Sequence, residues 1–70
     1  MLPLNVASPG EENVIRKVGG SPEVKKHLED LGFVVGGAVT LISALNGNLI
    51  VNVKNTRVAL DAEMARRIFI

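Results

Sequence analysis

The clearest hydrophobic pattern in the chain is a helical one that lies between two capping residues. Val24, Leu28 and Leu31 recur at positions i, i+4 and i+7, which places them on one stripe of a helix. Ser21, followed by proline, is a suitable N-cap, and Gly32 offers the left-handed residue that ends many helices. The pattern predicts one short helix. Its stripe must dock on the rest of the chain, because a helix of this length is marginal in water.

Three β-strands are predicted after the helix, because apolar residues alternate there with polar ones. Asn46-Gly47 and Lys54-Asn55 separate them, and asparagine and glycine accept the left-handed backbone of tight hairpin turns. One helical turn capped by Asp61 follows, before a short final strand. The predicted strands are Ala38 to Leu45, Leu49 to Val53, Thr56 to Leu60 and Ile68 to Ile70.

The N-terminal third gives a weaker pattern. Leu2, Leu4 and Val6 alternate and suit an edge segment, since the intervening proline cannot donate to a ladder. Glu12 to Val18 reads as one strand, although Ile15 and Val18 can face the same core only across a bulge. The chain is therefore expected to be mainly β, a small barrel of about five strands with one docked α-helix and one short helical turn. Its length predicts a single domain, residues 1–70.

Composition excludes some classes of function. The net charge is +1, and Phe33 and Phe69 are the only aromatic residues, so we expect no nucleic-acid partner. The absence of cysteine removes disulfides and thiolate metal sites and fits a reducing cytoplasm. The N-terminus lacks the features of a signal peptide. The uncharged stretch from Leu31 to Val53 is long enough to span a bilayer, but its glycines and its alternation favour a buried hairpin over direct membrane insertion.

Glycine and apolar residues recur in a fixed order along the chain: Leu4, Pro9-Gly10 and Ile15 at the start, then Leu28, Asp30, Leu31 and Gly32, then Gly36, Val58-Ala59-Leu60, Ala65 and Ile68. The order and spacing of these residues resemble the ferrous-iron transport protein A (FeoA) family. The similarity covers nearly the whole chain. Val35 and Asn55 stand where the family often has proline and glycine, and both are tolerable for the fold.

The resemblance implies an SH3-like barrel and a small cytoplasmic accessory protein of bacterial ferrous iron uptake. Its implied partner is a membrane permease that bears a G-protein domain. The same resemblance extends to the C-terminal domains of metal-dependent repressors of the diphtheria-toxin-repressor type, so a regulatory SH3-like domain is the alternative. A chain of 70 residues that starts at Met1 favours the free-standing accessory protein.

Candidate chemistry is sparse. Glu23, His27 and Asp30 share one helix strip and could hold a divalent cation weakly, but a solvated strip is favoured, since no second histidine or cysteine exists. We predict no metal site, no cofactor and no catalytic residue, because a nucleophilic serine would have only His27 as its base. An accessory protein of iron uptake need not bind iron itself.

Cations and apolar residues near the turns are the candidates for partner binding. Arg57, Arg66 and Arg67 could act as an arginine finger on a G domain, although surface arginine is favoured, with the last two at a helix C-terminus. An apolar anchor beside positive charge suits docking on a folded partner. The predicted contact residues, around the Asn46-Gly47 hairpin and the next turn, are Leu45, Leu49, Ile50, Lys54 and Arg57.

Overall fold

The computed structural model describes residues 1–70 and contains six strands and two α-helices. One antiparallel sheet has the strand order β1-β3-β4-β5, and a second pairs β2 with β6. The elements are β1 (Glu12–Val14), β2 (Lys17–Val18), α1 (Pro22–Asp30), β3 (Ala38–Leu45), β4 (Asn48–Val53), β5 (Thr56–Leu60), α2 (Ala62–Ala65) and β6 (Ile68–Phe69).

Helix α1 begins and ends at the predicted residues. The Ser21 Oγ accepts a hydrogen bond from the Val24 N–H at 3.3 Å, which satisfies one orphan donor of the first turn. At the other end Gly32 has φ +111° and its N–H donates to the Glu29 carbonyl, while the Phe33 N–H reaches back to the Leu28 carbonyl at 2.9 Å. This pair of bonds is a Schellman motif.

The apolar stripe of α1 is narrower than predicted. Leu28 is fully buried and Val24 half-buried, but Leu31 is the C-cap residue and remains 37% exposed. Leu31 keeps a helical backbone, with φ −77° and ψ −11°, and the chain turns away from the helix at the following Gly32. Phe33, which follows Gly32, is fully buried in the core.

The hairpin strands were predicted correctly. In β4 the alternate residues Leu49, Val51 and Val53 are all buried. The turn at Asn46-Gly47 has φ of +53° and +84°, as a type I′ hairpin requires. The uncharged stretch is therefore a hairpin. Neither helix has the length and apolar character that crossing a bilayer demands.

The predicted strand from Glu12 to Val18 is in fact two strands in different sheets. The Ile15 N–H donates to the Gly37 carbonyl beside the first sheet, whereas the Arg16 N–H donates to the Phe69 carbonyl in the second, both at 2.8 Å. Changing sheets lets Ile15 and Val18 both face the core, which the sequence pattern could explain only by a bulge. This split raises the strand number from about five to six.

The N-terminal segment is also different from the predicted alternating edge. Leu4–Val6 forms a 3-10 helix in which Leu4 is buried, while Leu2 and Val6 are exposed. Its first residues run antiparallel to the C-terminal end of the chain: Leu2 and Ile70 exchange two backbone hydrogen bonds, and Pro3 forms an isolated bridge with Phe69 of β6. The core that these elements enclose holds thirteen apolar side chains and no polar or charged one.

Candidate partner-binding site

Two of the three apolar contact residues predicted near the hairpin lie on its surface and the third lies in the core. Leu45 is 73% exposed, and Ile50 is also exposed on the outward face of β4. Leu49 has the opposite orientation and is 1% exposed, opposite Leu60 of β5. Alternation along β4 therefore buries Leu49 in the core and exposes Ile50, and Leu45 is exposed at the end of β3.

These residues line a surface depression of about 500 Å³, which we call the hairpin groove. Ile50 stands between Ser43 on one neighbouring strand and Ala59 on the other. Both flanking side chains are small, so they leave open space on either side of Ile50. The full lining of the hairpin groove is Ser43, Leu45, Asn46, Asn48, Leu49, Ile50, Ala59, Leu60 and Asp61.

One wall of the hairpin groove is tied to helix α2. The Asn48 Oδ1 accepts from the Ala62 N–H at 3.0 Å, and the Asp61 Oδ1 accepts from the Met64 N–H at 2.8 Å, which confirms the predicted cap. A Cβ added to Gly47 would lie 3.2 Å from the Cβ of Ala62, so the hairpin tip approaches this helix closely. Sequence reasoning missed Asn48, because its partner is fourteen residues away.

The two predicted cations lie in different places. Arg57 is opposite Asn52, and since Ile50 is opposite Ala59, Arg57 is a diagonal neighbour of Ile50 on the outward face. Lys54 belongs to the turn before β5, with φ +49°, and its aliphatic chain lies beside Gly32. Arg57 therefore lies beside Ile50 on the outward face but is not among the residues that line the hairpin groove, and Lys54 lies near the end of α1.

A β-bulge extends the exposed apolar surface in a way that the sequence did not indicate. The register of β3 against β4 shifts between Leu41 and Ser43, which leaves Ile42 as the additional residue. Its side chain is exposed. Simple alternation had assigned Ile42 to the outer face but gave no sign of the bulge.

The other candidate residues carry structural roles or stand in solvent. Arg66 and Arg67 both pair with Glu63, at 3.2 Å and 2.6 Å. Glu23 and His27 are exposed on α1, and Asp30 pairs with Lys26 at 3.8 Å. No three histidine, cysteine or acidic side chains of residues 1–70 come together as a group that could hold a metal ion.

Comparison with known proteins identifies relatives along the whole chain. Residues 2–70 match the family model described as the FeoA domain. A curated protein of Methanocaldococcus jannaschii, provisionally named Fe(2+) transport protein A, is 27% identical over 70 residues, which are 100% of this chain and 85% of that protein.

Solved structures share the fold. A crystal structure described as the iron uptake regulatory protein FeoA has a TM-score of 0.87 at 20% sequence identity. The match covers 96% of this chain and 91% of the FeoA chain. FeoA of Stenotrophomonas maltophilia, described as an SH3 domain protein in complex with zinc and a candidate activating factor of ferrous iron transport, has a TM-score of 0.79 at 26% identity over 94% of this chain and 85% of its own.

A manganese-dependent transcriptional repressor has a TM-score of 0.82 at 15% identity and covers 93% of this chain but 38% of the repressor, which is a likeness of fold alone. Together with the FeoA structures, these likenesses confirm the expected SH3-like barrel.

Proposed function

The chain belongs to the FeoA domain family, and on that premise we propose that it is a non-enzymatic accessory protein of ferrous iron uptake. The observation that carries the proposal is the family match over residues 2–70, supported by the M. jannaschii relative that aligns along the entire chain. In this proposal the 70 residues act as one cytoplasmic domain that binds and regulates a ferrous iron permease bearing a G domain.

The hairpin groove is the proposed contact surface. Leu45 and Ile50 present apolar side chains on a rigid β-hairpin, so a partner can bury them without first ordering a loop. Full burial of one such side chain contributes roughly 1.5–3 kcal/mol, which is the scale of an interface hot spot. Arg57, the diagonal neighbour of Ile50, takes part in none of the ion pairs of the chain and is free to meet a carboxylate of the partner.

A binding assay with matched variants tests this proposal. The chain is immobilised and exposed to solubilised membranes that contain the permease, with GDP or with a non-hydrolysable GTP analogue. The test variant, Leu45→Ser with Ile50→Thr, removes the exposed apolar pair of the hairpin groove. The control, Leu2→Ser with Val6→Thr, removes two exposed apolar residues of the N-terminal segment.

We expect the groove variant to lose permease capture while its melting temperature changes little, and the control to bind like the unchanged chain. Equal capture by both variants would remove the hairpin groove as the contact surface. Failure of the unchanged chain to capture the permease in either nucleotide state would contradict the accessory role and favour the alternative of a regulatory domain, whose fold the manganese-dependent repressor shares.

A further inference from the structure

A second depression, which we call the basic groove, lies between α1 and the segment around β2. Its volume is about 350 Å³. Its lining comes from three parts of the chain that are distant in sequence and are brought together only by the fold. The lining residues are Arg16, Lys17, Val18, Lys25, Glu29 and Val35.

The basic groove collects positive charge that the molecule itself does not neutralise. The ion pairs of the chain involve Lys26, Arg66 and Arg67, so none of the three groove cations takes part in one. Although Lys25 and Glu29 are spaced i and i+4 on α1, no ion pair joins them. Three cations and one carboxylate leave an excess of two positive charges in this groove, whereas the whole chain has a net charge of +1. The rest of the chain is therefore slightly acidic.

The backbone beneath these cations is held by hydrogen bonds. The Arg16 N–H donates to the Phe69 carbonyl at 2.8 Å, and Lys17 pairs with Phe69 across the two-stranded sheet. The Lys17 ammonium lies 5.8 Å from the centroid of the Phe69 ring, an aromatic face that attracts a cation. Lys25 projects from the middle of α1. The three cations therefore project from backbone that is hydrogen-bonded in or beside β2 and in α1.

An apolar side chain completes the rim. Val35 is 67% exposed, although the turn that carries it is well anchored. The Gly36 N–H donates to the Ile15 carbonyl at 2.8 Å, and the Gly37 N–H donates to the Val34 carbonyl at 2.9 Å. Val35 is therefore held out toward solvent beside the cations by a bonded turn.

We propose that the basic groove binds an acidic segment of a protein partner, with carboxylates on its cations and an apolar side chain against Val35. The inference rests on the proposed role as an interaction module, but it concerns a surface that shares no residue with the hairpin groove. The charge of the groove complements an acidic peptide. A nucleic acid is disfavoured for two reasons. The Glu29 carboxylate in the wall would repel a continuous row of phosphates, and the chain has no row of aromatic rings on which bases could stack.

An NMR titration tests the inference. The ¹⁵N-labelled chain is titrated with a synthetic peptide of two Glu-Glu-Leu repeats, at low and at physiological salt. The test variant replaces the three groove cations with glutamine. The control, Lys54→Gln with Arg66→Gln and Arg67→Gln, removes the same charge outside this groove. The amide spectra also report whether each variant is folded.

We expect amide shifts to concentrate at the basic groove and to weaken with salt. Losing the three groove cations should weaken binding by about tenfold or more, and the control should change it by less than about twofold. Glu29→Gln, which removes the only carboxylate of the groove, should tighten binding. The hairpin variant Leu45→Ser with Ile50→Thr should bind the peptide normally, so this inference and the proposed permease contact can fail separately.

Two results would overturn the inference. Equal loss of binding in the test and control variants would mean that the peptide responds to net charge alone. Tighter binding of an oligouridylate or of phosphatidylserine vesicles at the same amides would assign the groove to a different class of ligand.

Discussion

The C-terminal end of α1 and the tip of the β3–β4 hairpin are both closed by a glycine with positive φ, +111° at Gly32 and +84° at Gly47. Around the first glycine Leu28 and Phe33 are fully buried, and only Leu31 remains partly exposed. Around the second Leu49 points inward, while the β-bulge at Ile42 places Leu45 on the outward face. Leucine therefore stabilises the core at the end of α1, whereas Leu45 of the hairpin is available for binding.

A glycine turn therefore does not by itself indicate a binding surface. At the helix end the Schellman bonds bring the chain back over the helix, so that Leu28 and Phe33 are buried together. At the hairpin tip the backbone reverses within one sheet, and the outward face of that sheet stays uncovered. Substitutions in the two regions should separate these roles.

The largest effect is expected from Leu28→Ala. Leu28 is the fully buried residue of α1, and removing such a leucine side chain costs about 2–5 kcal/mol of unfolding free energy. Chemical denaturation measures the change. His27→Ala is the matched control, because His27 is exposed on the same helix. If the histidine variant proves the less stable of the two, the orientation of α1 is wrong.

The second comparison lies within the hairpin itself. Leu49→Ala should cost about 2–5 kcal/mol because Leu49 is in the core, while Leu45→Ala should stay within about 0.5 kcal/mol. Thermal melts of the two variants, together with the permease capture assay, measure both properties. A similar loss of stability in both would mean that Leu45 also closes the barrel, and the hairpin groove would then lose its exposed anchor.

A smaller effect is expected at the helix cap. Gly32→Val forces a β-branched residue into positive φ, which costs about 1–3 kcal/mol. The milder Gly32→Ala can be matched with Gly19→Ala, because Gly19 lacks positive φ and an added Cβ there meets only ordinary contacts, at 3.6 Å and 3.9 Å. Identical melting temperatures for the two alanine variants would contradict the cap assignment.

The smallest effect is expected at the hairpin turn. Gly47→Ala should destabilise the chain by about 1 kcal/mol, because of its positive φ and because the added Cβ would lie 3.2 Å from Ala62. Gly10→Ala isolates the backbone contribution, since Gly10 has φ +85° and open space around its Cβ position. An equal loss in both variants would show that the approach of the hairpin tip to α2 adds no cost.

Local rules determined much of the fold. The bounds of β3 and β5, the caps Ser21 and Asp61 and the turn at Asn46-Gly47 follow from alternation, capping and turn chemistry, which act over a few neighbouring residues. The hairpin was also predicted as an apolar contact surface, but which of its leucines is exposed depends on the side of the sheet that the core occupies.

Tertiary structure alone decided the remaining features. The Glu12 to Val18 segment divides between two sheets because Ile15 and Arg16 bond to partners far along the chain. The hairpin groove depends on the register that sets small residues beside Ile50, and the basic groove on the packing that brings Arg16, Lys17 and Lys25 together. A pattern of neighbouring residues contains no information on such distant pairings. They are fixed only when the apolar faces of the helix and both sheets are buried against one another.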